Sequence, residues 1–189
     1  MSSPIPSVFL GHGNPMNAVQ QNEFTDGWCR IAESIPKPRA ILAISAHWFI
    51  PATSVTIGFA PRTIHDFGEF PAELFRVQYP APGDEGLAQR VQSLLKPYEV
   101  GLADDWGLDH GTWSVLRHAY PNADIPVVQL SINEVEPPPF HFHLGQQLAS
   151  LRNEGILLMG TGNLVHNLHA YAWVKTCAVP NPYDWARPF

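Results

Sequence analysis

The sequence predicts a single α/β domain with a mostly parallel central sheet flanked by helices, and three observations carry that expectation. Short apolar runs, VFL, AILAI, VVQL and ILLM, recur along the chain between turn-forming residues. They are too short for helices and do not alternate as a one-sided sheet would, which is the pattern of strands buried on both faces. Segments with helical start and stop signals lie between them, and strand–helix alternation implies helices packed on a sheet. The chain has 189 residues and 45% hydrophobic content, enough for one substantial core.

Taken in order, Val8–Leu10 is the first expected strand and runs straight into Gly11-His12-Gly13. A helix is expected over Glu23–Ser34, closed by Pro36, and a second strand over Ala40–Ile44, leading to His47 and Trp48. Ser54–Phe59 alternates Val55, Ile57 and Phe59 with smaller or polar residues and reads as an edge or antiparallel strand. Ala60–Pro82 mixes prolines and glycine with Phe67, Phe70, Phe75 and Tyr79; a connection that long is expected to be a functional loop. Helices follow over Glu85–Leu95, opened by Asp84, and Thr112–Tyr120, closed by Pro121. The strand Val127–Leu130, the helix Phe140–Asn153 closed by Gly155, and the strand Ile156–Met159 complete the pattern. Neither a repeat nor a flexible linker divides residues 1–189, so they read as one domain.

Composition excludes several function classes. A net charge of -6 with only 11 Lys and Arg leaves no basic stripe for a nucleic-acid backbone and no cationic cluster for an anionic membrane. Cys29 and Cys177 are too few for a disulfide scaffold and lack thiolate-metal spacing, so buried or partly buried thiols are expected. MSSPIPSVFL has no basic segment of the signal-peptide kind, and no apolar stretch approaches the roughly 18 residues of a membrane span, which places the protein in the cytoplasm. Serine-hydrolase, P-loop and dinucleotide fingerprints are missing.

What remains is histidine. His12, His47 and His166 each stand just beyond an apolar run, where a parallel sheet would deliver them to the crevice at the carboxyl ends of its strands. Imidazoles meeting there suit iron, zinc, copper or nickel, so these three are the candidate metal ligands. His169, three residues after His166, is a weaker candidate. His110, next to Asp109 and before an expected helix, is the first acid–base candidate, since imidazole gives and takes protons near neutral pH. His65, Asp66 and Phe67 in the aromatic loop are candidates for contacting a polar aromatic substrate, the alternative being hydrogen bonds that stabilise the loop. His118 is expected to be solvated, and His141 and His143 diverge on a helix and are rejected as a chelating pair.

The motifs GHGNPMN, SAHW, TIHDFGEFP, YPAPG, WGLDHGTW, VQLSI and GTGNLVHNL, in this order, resemble the class III extradiol ring-cleaving dioxygenases, in their DOPA dioxygenase-like branch. The resemblance runs from about Val8 to Trp185. It implies an α/β fold and one divalent metal per chain, Fe(II) for activity with Zn(II) as an alternative occupant. His12 and His47 match metal-ligand positions; His166 matches a histidine close to the metal, either a further ligand or the acid–base; His110 matches an active-site histidine facing substrate. The expected reaction is O2-dependent opening of a catechol-type ring, DOPA-like, next to the diol, with His166 or His110 moving the protons and Phe67 among the residues excluding water. Members of that family continue past the position of Phe189, so this chain is expected to lack their C-terminal part, which supplies a further ligand. An apolar face left uncovered there would invite a second copy of the chain. Two rival readings are a zinc hydrolase and a degenerate member that binds metal or an aromatic compound without turnover.

Overall fold

Alternate residues of the central strands enter two different cores, which is why their sequences do not alternate. Along strand β2 (Ala40–Ile50), Ile41 and Ala43 join Trp28, Trp113, Leu116 and Met159 on one side, while Ala40 and Leu42 join Leu87, Val91, Leu148 and Ile156 on the other. The computed structural model describes residues 4–163 and residue 166. Strands β1 (Ser7–Gly11), β2, β3 (Ser54–Thr56), β4 (Gly101–Ala103), β5 (Val127–Asn133) and β6 (Ile156–Gly162) form one sheet in the order β1-β6-β2-β5-β3-β4. The first four in that order are mutually parallel. β3 runs antiparallel to β5 through Val55 and Leu130 and carries β4 outside it, so β3 is antiparallel as expected but not an edge.

Helices cover both faces. α1 (Glu23–Ser34) begins on a capping box in which the Asn22 side chain accepts from Thr25 N and the Thr25 hydroxyl accepts from Asn22 N. It packs with α4 (His110–Ala119) over one face. α3 (Glu85–Leu94), capped by Asp84, and α5 (Pro138–Leu148) cover the other.

Differences from expectation concentrate around the histidines. β2 runs six residues past Ile44, with a register shift against β5 between Ile44 and Phe49, so His47 lies inside a strand rather than after it. α4 starts at His110 rather than Thr112, because Asp109 accepts from Thr112 N and caps the helix two residues early. The loop from residue 60 to 82 contains a short helix, α2 (Ala72–Phe75), and is tied down: Thr63 bridges Leu108, and the Trp113 indole N–H donates to Ile64 O at 2.7 Å. The helix expected over Phe140–Asn153 is divided into α5 and a 3-10 turn over Ala149–Glu154, ended by Gly155 at φ 78°. β4 has no apolar run to announce it.

Cys29 is partly buried with its thiol against His118 O, and His118, rather than being free in solvent, holds Asn17 O at 2.8 Å. Expectations for Cys177 and His169 lie outside the described residues. No described helix is long and apolar enough to cross a membrane. Replacing the fully buried Ile41 by Ala is expected to cost about 2–5 kcal/mol, read as a lowered urea midpoint with an unchanged slope.

Candidate metal centre

The sheet order sets β6 between β1 and β2, and the carboxyl ends of these strands bring distant residues together. His12 follows β1, His47 rides on the extended β2, and His110 opens α4, whose first turn abuts the sheet there. One nitrogen from each of these histidines lies within 4.8 Å of the other two. His12 and His110 are buried and His47 is half-buried. His166 is exposed and stands outside this cluster, though near enough that its charge disfavours protonation of His12.

Hydrogen bonds determine which nitrogen of His12 is free. The Thr161 hydroxyl donates its single proton to Gly111 O at 2.7 Å, so toward His12 Nδ1, 3.1 Å away, it can only accept. His12 therefore carries its proton on Nδ1 and presents a bare Nε2. That Nε2 lies 3.1 Å from His47 Nε2. Burial, with the neighbouring His110 and His47, pushes the His12 pKa down to about 3, so the ring is neutral at ordinary pH.

Asp66, from the aromatic loop, reaches under the other two rings. Its Oδ2 is 3.1 Å from His47 Nδ1, and its Oδ1 is 3.0 Å from His110 Nδ1 and accepts the His110 backbone N–H at 2.8 Å. Burial alone would raise the Asp66 carboxyl, but the two histidines outweigh it and hold it well below the usual carboxylate range. For His47, burial opposes protonation, and the Asp66 carboxylate reverses the balance and raises its pKa.

This donor set fits a divalent cation. Two bare lone pairs cannot face each other at 3.1 Å without positive charge between them, which is either the proton of a His47 imidazolium or a metal ion bound to both. Behind the rings lies a polar layer that the sequence did not reveal. Buried Asp109 accepts from Ser45 Oγ at 2.7 Å and Gln129 Nε2 at 2.7 Å, and Ser45 Oγ accepts from His47 N at 3.2 Å. Burial pushes the Asp109 carboxyl up against these bonds. Thr161, Ser45 and Gln129 lie within apolar strands, where a polar residue is the only mark of such a role.

The substrate-loop candidates are also placed. Phe67 stands edge-on to His110 with centroids 5.4 Å apart and packs with Phe70 and Phe75. His65 Nε2 lies 3.0 Å from Val77 O, within the loop itself. His141 holds Asn133 O, while His143 points elsewhere on α5.

A parallel α/β sheet that gathers three imidazoles at its strand ends, one with its tautomer fixed, is the framework of a metal-dependent enzyme. Residues 3–183 match the family described as the catalytic LigB subunit of aromatic ring-opening dioxygenase. The chain belongs to this family, and its enzyme class is that of the aromatic ring-opening dioxygenases. It is 49% identical over 189 residues to the 4,5-DOPA dioxygenase extradiol of Escherichia coli K12 and 42% identical over 167 residues to that of Beta vulgaris. All of this chain and 69% of the bacterial relative are covered, against 85% and 62% for the plant one. A crystal structure of an uncharacterized protein from Escherichia coli K12 superposes with a TM-score of 0.81 at 44% identity, covering 96% of this chain and 68% of the other.

Gly111 leaves no room for a side chain beside these rings. A Cβ there would stand 2.8 Å from Ser45 Oγ and 2.9 Å from His47 Cδ2. Gly111→Ala is expected to cost about 1–3 kcal/mol in thermal or urea unfolding, and to weaken metal binding through the displaced His47 ring.

Proposed function

We propose that this chain opens a catechol-type, DOPA-like ring beside its diol with O2, at a single divalent metal held by His12 and His47. The observation that carries this reading is the convergence of His12, His47 and His110 within 4.8 Å, at the strand ends of a ring-opening dioxygenase fold. Fe(II) bound there would supply a centre where catechol oxygens and O2 meet, with Zn(II) as the alternative occupant. His12 enters this arrangement neutral with Nε2 free, as its bond to Thr161 dictates. His110 is the residue proposed to take the catechol proton and later return it. Its Nδ1 faces Asp66, so the opposite nitrogen is the one available. His166 is proposed as a further ligand or a second proton carrier. Phe67, edge-on to His110, and Phe70, packed on Phe67, would give an aromatic substrate an apolar wall and keep water from the reacting atoms. His65 and Asp66 flank that wall.

The proposal extends to the setting. It places residues 1–189 in the cytoplasm as one catalytic domain, with a small catechol and O2 as partners, apart from nucleic acid and membrane, and with room for a homo-oligomer. Cell fractionation and the particle mass in solution test these points.

Anaerobic loading with Fe(II), followed by O2 uptake on a panel of catechols including DOPA, tests the reaction. Oxygen consumption with a yellow ring-opened product is the expected result, and binding without turnover overturns it. The double change His12→Ala and His47→Ala is expected to abolish metal content; unchanged metal analysis would remove both from the ligand set. His110→Ala is expected to lower kcat by roughly 10²–10⁴-fold with metal retained, the range of a lost general acid–base. Loss of metal in that variant would instead make His110 a ligand.

A further inference from the structure

We propose that Asp66 is the positioning residue of this centre: one carboxylate that fixes ring orientation and tautomer for His47 and His110 together, rather than a group that binds substrate. The proposal starts from what a carboxylate can do. It accepts hydrogen bonds and donates none, so a ring nitrogen held against it must carry the proton. Asp66 Oδ2 lies 3.1 Å from His47 Nδ1 and Oδ1 lies 3.0 Å from His110 Nδ1. The His110 contact is oblique, the straight donor to Oδ1 being the His110 backbone N–H at 2.8 Å. A bare lone pair at that distance from an anionic oxygen would still be repelled, so the proton belongs on Nδ1 of each ring. Both Nε2 atoms then face away from the carboxylate, that of His47 toward the Nε2 of His12, which Thr161 leaves bare. Thus three imidazoles receive the same tautomer from two acceptors, Thr161 and Asp66.

The geometry also leaves Asp66 little capacity for anything else. Oδ1 accepts the His110 backbone N–H and lies against His110 Nδ1, Oδ2 lies against His47 Nδ1, and the side chain is only 18% exposed. The His47 and His110 rings lie 3.9 Å apart, close enough that a shared anion is what allows both to present Nδ1–H to the same side. Because the bond to His110 N involves the first turn of α4, Asp66 also anchors the aromatic loop to the helix that carries His110. Carboxylates that orient metal-bound histidines typically alter metal affinity 10–100-fold.

The metal part of the test rests on the metal-centre reading above; the tautomer part does not. In the metal-free 189-residue chain, 15N NMR of labelled histidine is expected to show Nδ1 protonated on both His47 and His110, with a second His47 proton on the Nε2 that faces His12. Nδ1 found without a proton on both rings overturns the proposal. Asp66→Asn has one acceptor oxygen for two rings, so it is expected to weaken Zn(II) binding at least tenfold and to release one or both rings to mixed tautomers. Asp66→Glu, which keeps both oxygens, is expected to recover most of the affinity, and Asp124→Asn, at an exposed ion pair with Lys37, none of the loss. Thermal melts establish that each variant is folded; should Asp66→Asn unfold, the tautomers of the unaltered chain decide. Wild-type Zn(II) affinity and tautomers in Asp66→Asn, with a raised KM for catechol, would make Asp66 a substrate ligand and overturn the assignment. If the unaltered chain binds no zinc, the metal-centre reading fails while the tautomer result still stands or falls by itself.

Discussion

Across 3.1 Å, the Nε2 atoms of His12 and His47 face each other with room for positive charge between them, and much of the structure serves to hold them there. Imidazoles left to themselves would rotate apart or protonate. His12 cannot, because burial removes the solvent that would stabilise its cation and Thr161 occupies its other nitrogen. Thr161 is held in turn by Gly111 O, and Gly111 has no Cβ to collide with Ser45 and His47. The cluster is thus coupled to a strand end, a helix start and a loop, and it depends on all three being in register.

That coupling explains where polar groups enter the core. Asp109 is buried yet caps α4, accepts from Ser45 and Gln129, and so joins the helix carrying His110 to the strands carrying His47. A buried carboxyl so engaged is costly to leave unpaired, which makes it a specific lock between secondary-structure elements rather than a general source of stability. On the opposite side of the rings the aromatic loop, pinned by the Trp113 indole and by Thr63, places Phe67 against His110. Polar order behind the rings and apolar cover in front are what oxygen-dependent ring opening requires of its protein, since the proton carriers must be fixed and water kept out.

The strands and helices were legible in sequence wherever burial on both faces left an uninterrupted apolar run or a cap stood at a helix start. Glu23–Ser34 matches α1 residue for residue because Asn22 and Thr25 form a local capping box. Legibility fell off where the cause was not local. The continuation of β2 through His47 rests on pairing with β5 across a register shift, and β4 is three residues, mostly exposed, added to β3. Neither leaves a pattern in its own segment.

For the site, the sequence by itself determined the chemistry: histidines after apolar runs, glycines beside them, and an aromatic loop with a carboxylate in it. Only the tertiary structure decided which of these meet. His110 joined His12 and His47 because an early cap moved it onto α4, and Asp66 came to lie between two rings because its loop folds back on that helix. Tautomers likewise depend on Thr161, 149 positions from His12, and on Asp66, 19 positions from His47 and 44 from His110. Residue type and local spacing are written in the chain, whereas the direction of a hydrogen bond exists only once distant segments are packed.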